Sequence, residues 1–226
     1  MDKQGRPVIG MDWDGTLRDS LVQFIEKRFR SNNLAVRSLL YMGFVFVDLF
    51  GMGTNASNEI DTSHVDENFK KIIRDYAEEG VRIVCSTRNN HKKQIRARLE
   101  SDGIMDPEGV PEVIHSKDEE TQKGYSIDIS VNDSLIREVR EGRKNGNYIM
   151  WAGYGHNGVF GKLFRKLGYT NVAMNAGELR EMCRGRVENI READMTIPLQ
   201  TTGQAAKQDL GFQHAGDKAS PAIRYK

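Results

Sequence analysis

The sequence predicts an α/β protein with a parallel sheet covered by helices on both faces. Three observations carry that expectation. Short β-rich runs alternate with helical patterns over residues 8–183. The strand-like runs are apolar throughout instead of alternating with polar residues, as strands buried on both faces are. Glycine comes after several of the helical patterns as a stop signal.

Val8 to Met11 is the first strand. A helix spans 65–79, with Val65, Phe69, Ile72, Ile73 and Tyr76 at helical spacing and Gly80 as its stop. VRIVCST (81–87) is a second buried strand, and HKKQIRARLE (91–100) a basic helix ending near Gly103. PEVIHS (111–116) and IDISVND (127–133) are the third and fourth strands, the latter succeeded by a helix over SLIREVREG. NYIMWAG (147–153) is a fifth strand, GYGHNG (153–158) a glycine-rich loop, VFGKLFRKLG a helix, TNVAMN (170–175) a sixth strand and AGELREMC a last helix.

Two regions break the alternation. Residues 20–62 lie between the first strand and its crossover helix, with helices expected over 20–31 and 34–50 and a polar loop through GMGTNASNEID. They read as a small cap insert. Residues 197–226 are polar, rich in Gly, Ala and Gln, and poorly periodic, which reads as a flexible tail or one docked on a partner. The organisation expected is a core of 1–19 and 63–196, an insert of 20–62 and a tail of 197–226.

Composition narrows the function classes. A net charge of +1 with 29% charged residues gives no global field to draw the chain onto nucleic acid or an anionic membrane. Cys85 and Cys183 are too few for a disulfide framework, which fits a reducing, cytoplasmic setting. The polar MDKQGRP does not read as a signal peptide. LLYMGFVFVDLF (39–50) carries Asp48 and is too short to span a bilayer. It reads as a buried or capping helix, with an interfacial membrane helix as the alternative.

The stretch that carries chemistry is VIGMDWDGTL (8–17). A buried strand ends on Asp12, then Asp14 comes after one residue and the chain turns on Gly15. Ligands of open α/β sheets sit beyond the carboxyl ends of strands. Two carboxylates there repel and resist desolvation unless a cation lies between them, and a hard divalent ion such as Mg²⁺ takes oxygen ligands. Alternation turns Trp13 away from the two aspartates and into the core. A capped loop, or part of a calcium loop, is the competing reading.

DWDGTL (12–17) resembles the first motif of the haloacid dehalogenase (HAD) superfamily, DxDGT after a hydrophobic strand. VRIVCSTR resembles the second, offering Ser86 with Thr87 and Arg88 beside it; Lys117, or alternatively Lys123, resembles the third; Asn132 and Asp133 resemble the fourth, with Asn132 where an acid is usual. The resemblance spans about residues 7–180 and implies a Rossmann-like HAD fold with a small helical cap. It implies a phosphatase in which Asp12 is the nucleophile and Asp14 the general acid and base. Asp12, the backbone carbonyl of Asp14 and Asp133 would hold Mg²⁺, and Ser86, Thr87, Arg88 and Lys117 would bind the phosphoryl oxygens.

The implied partner is a small phosphorylated substrate. A nucleotide or nucleic-acid end is a narrower option, raised by the cations Arg88, Lys92, Lys93, Arg96 and Arg98, which read equally as a solvated helix face. The five histidines lack metal-ligand spacing, although His115 closes the third strand. The competing function is a catalytically weak HAD-fold scaffold that holds a partner with its tail.

Overall fold

The computed structural model describes residues 1–13, 16–17, 34–49, 64–87, 91–115, 127–133, 147–153 and 155–196. The chain divides into two compact units, Met1–Asn189 and Ile190–Lys226, and the first holds the whole sheet. Expectations for 20–31, for the polar loop ending the insert, for SLIREVREG and for the tail from 197 fall outside the described residues.

Among these residues six strands form one parallel sheet: β1 (Val8–Asp12), β2 (Arg82–Thr87), β3 (Glu112–His115), β4 (Ile129–Asn132), β5 (Tyr148–Trp151) and β6 (Val172–Ala173). Their order is β3-β2-β1-β4-β5-β6, which is Rossmann-like. The described helices are α1 (Leu34–Leu49), α2 (Glu67–Glu78), α3 (Lys92–Ser101), α4 (Gly155–Lys166) and α5 (Ala176–Thr196).

The unbroken apolar runs are the strands because both faces of the sheet are covered. Val8, Ile9 and Met11 of β1, Ile83, Val84 and Cys85 of β2, and Tyr148, Ile149 and Met150 of β5 are all buried. On one face, Phe69 of α2 meets Trp151 edge-on, with ring centroids 5.1 Å apart at 85°. Elsewhere Phe164 of α4 joins Tyr148, Met150, Ala152 and Val172 in one cluster. Gly10 keeps the middle of β1 thin, since a Cβ there would stand 2.9 Å from Ile127 Cγ2.

Helix ends match their sequence signals. Asp66 caps α2 by accepting the Asn68 N–H at 2.8 Å. At the other end, the Val81 N–H reaches the Tyr76 carbonyl at 2.9 Å across Gly80, whose φ of +75° suits glycine. Gly103 closes α3 in the same way at φ +68°. Trp13 is fully buried, as alternation requires, and Cys85 and Cys183 are both buried free thiols. Burial pushes the Cys183 pKa up to about 12.

Three sequence readings are corrected. The glycine-rich 153–158 is not all loop, because α4 already begins at Gly155. Its first turn passes close to the end of β5: a Cβ on Gly158 would lie 3.4 Å from the Ala152 carbonyl oxygen, so glycine suits the approach. The sixth strand is two residues long, not six, as suits the edge of a sheet. The helix at 34–49 is present, but Val36, Leu39, Met42 and Phe46 are exposed, so that part of it is not buried. It lies beside α4. No described helix is long and apolar enough to cross a membrane.

The core and the exposed face of α1 should therefore respond differently to truncation. Phe69→Ala is expected to cost about 3–5 kcal/mol in urea unfolding, as a large buried ring does. Leu39→Ser, at a side chain 69% exposed, should change stability by less than about 0.5 kcal/mol. A large loss from the second substitution would show that this face of α1 is covered in solution.

Candidate active site at the carboxyl ends of β1 and β4

From β1 the sheet grows one way through β2 and β3 and the other way through β4, β5 and β6. The two directions diverge between β1 and β4, and such a switch point opens a crevice at the carboxyl ends of its strands. Asp12 is the last residue of β1 and Asp133 the first residue beyond β4. The register that aligns Met11 with Val131 therefore places both aspartates at the mouth of this crevice.

Asp12 has Ser86 directly beside it on β2. The pairing continues one step further, where the Trp13 N–H donates to the Ser86 carbonyl at 3.0 Å. The chain then folds back, and the Leu17 N–H donates to the Asp12 carbonyl at 3.2 Å. Trp13, Thr16 and Leu17 are all buried. The Thr16 hydroxyl is buried and has no hydrogen-bond partner among the described residues.

Ser86 and Thr87, adjacent on β2, face opposite sides of the sheet by alternation. Ser86 shares the register position of Asp12, whereas the fully buried Thr87 pairs with His115 at the end of β3. Asn132 is buried at the end of β4, opposite Met150. Asp14, Arg88, Lys117 and Lys123 lie outside the described residues. Of the expected site, the structure thus brings Asp12, Ser86 and Asp133 to one crevice.

Sequence reading missed one neighbour. Asn157, in the first turn of α4, donates from Nδ2 to the Asp133 backbone carbonyl at 3.3 Å and lies 3.5 Å from Asp133 Oδ2. Its only sequence signal was its place in GYGHNG, just ahead of the first apolar residues of the helical pattern.

No family model matches the chain, and no curated protein matches it. A solved HAD family hydrolase from Deinococcus radiodurans R1, with bound phosphate and sodium, is similar over 80% of this chain and 96% of its own, with 14% identity and a TM-score of 0.47.

Among the described residues no three His, Cys, Asp or Glu side chains gather as a metal cluster. Asp12 and Asp133 offer two hard oxygen donors at one crevice, and Asp14 lies two residues beyond Asp12. This donor chemistry fits Mg²⁺ and excludes none of the ligands expected from the sequence.

Leu17 and the segment 64–66, the two stems of the expected insert, are tied. The Asp66 N–H donates to the Leu17 carbonyl at 3.1 Å, and the Val65 N–H to Asp102 Oδ2 at 2.8 Å. Asp102 Oδ1 also lies 2.6 Å from His64 Nδ1. Residues 64–66 are thus held beside Leu17, which itself bonds to the Asp12 carbonyl.

The stem gives a pH prediction. Burial raises the Asp102 pKa, but the Val65 N–H, His64 and Lys70 together hold it below its ordinary value. A depressed carboxylate stabilises the fold above the unfolded value of about 3.9, and that contribution disappears as pH falls through the folded value. Unfolding midpoints between about pH 4 and pH 2 should therefore fall faster for wild type than for Asp102→Asn. Parallel curves would show that the ion pair contributes nothing.

Proposed function

We propose that the chain is a HAD-type phosphatase that hydrolyses a phosphate monoester with Mg²⁺. The observation that carries this reading is the placement of Asp12 and Asp133 at the switch point, with Ser86 beside Asp12, in a chain whose first motif reads DWDGTL.

In this reading a carboxylate oxygen of Asp12 attacks phosphorus, and the bond from phosphorus to the ester oxygen breaks. Asp14 gives its proton to the departing oxygen. Water then attacks the aspartyl-phosphate, Asp14 takes the proton, and phosphate leaves with Asp12 restored. Asp12, Asp133 and the Asp14 carbonyl would hold Mg²⁺, which would supply positive charge for the phosphoryl oxygens. Ser86 donates its hydroxyl to one of those oxygens, and Arg88 and Lys117 are assigned the others by the resemblance alone, whereas Thr87, buried and turned to the other side of the sheet, is not. The substrate class is a small phosphorylated molecule, and a nucleotide is the narrower candidate.

The test is hydrolysis of p-nitrophenyl phosphate with and without Mg²⁺. Asp12→Asn should reduce turnover to background while leaving the unfolding midpoint unchanged, because the shape of the side chain is kept. Asp14→Asn should lower kcat by about 10²–10⁴-fold, the range for a lost general acid. Undiminished hydrolysis by Asp12→Asn would remove the nucleophile and the reading with it. A panel of mononucleotides, phosphorylated oligonucleotides and sugar phosphates then ranks the substrates.

A further inference from the structure

Asn157 is 3% exposed and stands in the first turn of α4, directly after β5. Its amide faces two oxygens of one residue: the Asp133 carbonyl at 3.3 Å and Asp133 Oδ2 at 3.5 Å. Both are acceptors, so the NH₂ end of the amide must face them. The opposite end, Oδ1, is buried and has no partner among the described residues. An amide held this way loses part of its hydrogen bonding on folding, and that loss opposes stability.

We infer that Asn157 is a positioning residue for the metal site: its side-chain amide fixes Asp133 as a Mg²⁺ ligand by holding both its main chain and its carboxylate. The inference rests on the phosphatase reading. Three features support it. The contact is two-pointed, so it limits both the path of the chain beyond β4 and rotation of the carboxylate. The seat of α4 is tight, since a Cβ on Gly161 would stand 2.6 Å from both Ala152 Cβ and Met174 Sδ. The helix that carries Asn157 is thereby fixed against the ends of β5 and β6. Finally, Asn132, the residue before Asp133, stands where the resembling family usually has an acid, so Asp133 is the one carboxylate that this pair offers to a metal. Groups that orient a metal ligand in this way typically change metal affinity about 10–100-fold when removed.

The experiment is Mg²⁺ titration of the full-length chain by calorimetry, for wild type, Asn157→Leu, Asn157→Ala, Asp133→Asn and the Asn157→Leu/Asp133→Asn double variant. Leucine has nearly the shape of asparagine and lacks both the donor and the buried acceptor. Asn157→Leu is expected to keep or raise the unfolding midpoint while weakening Mg²⁺ binding about 10–100-fold. In p-nitrophenyl phosphate hydrolysis it should raise the Mg²⁺ concentration for half-maximal rate by a similar factor and largely recover kcat at saturating Mg²⁺. In the Asp133→Asn background it should have no further effect on Mg²⁺ affinity, because its action passes through that carboxylate. Should the leucine variant not fold, Asn157→Ala gives the same affinity comparison. Wild-type Mg²⁺ affinity in both single Asn157 variants overturns this inference and leaves the phosphatase reading standing. Absence of Mg²⁺ affinity in the wild type overturns both.

Discussion

The reversal of strand order between β1 and β4 is the constraint on which the site depends. At such a switch point the connections from the two strands lead in opposite directions, so groups at their carboxyl ends meet in a shared crevice. Carboxylates that share a crevice repel unless a cation lies between them. The main chain holds Asp12 in place. β1 is paired on both sides, and the Trp13 N–H extends its pairing with β2 by one residue before the chain turns. Asp12 therefore sits at the end of a strand held from both flanks.

The described residues that flank the expected insert are tied to the same place. The Leu17 N–H donates to the Asp12 carbonyl, and the Asp66 N–H donates to the Leu17 carbonyl. Asp102 adds a buried anchor from the end of α3, where its carboxylate takes the Val65 N–H.

The strands were legible because a sheet covered on both faces needs runs without polar interruption, and VIGM and IVC, the hearts of β1 and β2, have none. Helix ends were legible where glycine takes a left-handed conformation, as Gly80 does. Asp12 and Asp133 were legible as acids at strand ends. The start of α4 was not, because a first turn of Gly155, His156, Asn157 and Gly158 has weak helix propensity and is fixed by packing against β5. Asn157 was hidden for the same reason: its partner is 24 residues away, and only the tertiary fold brings them together. Between a buried and a capping helix at α1 the sequence left the choice open, because apolar composition signals a helix face but not whether another surface covers it, and the exposed Val36, Leu39, Met42 and Phe46 remove only the fully buried option.

Buried polar groups occur at both ends of the sheet. At the amino end, buried Asp106 accepts the N–H groups of Ile83 at 3.3 Å and Glu108 at 2.8 Å. Buried Asn171 likewise donates to the Tyr148 carbonyl at 3.2 Å. These are satisfied structural contacts. At the carboxyl end, the Thr16 hydroxyl and Asn157 Oδ1 are buried with no partner among the described residues, and each such group costs about 1–3 kcal/mol. Both belong to segments that continue from strands carrying or flanking the two aspartates. The two unmet atoms beside the aspartates are a cost to folding, and Arg82 Nε at the amino end of β2 carries the same cost, so it is the position of Thr16 and Asn157 next to Asp12 and Asp133 that ties them to the site.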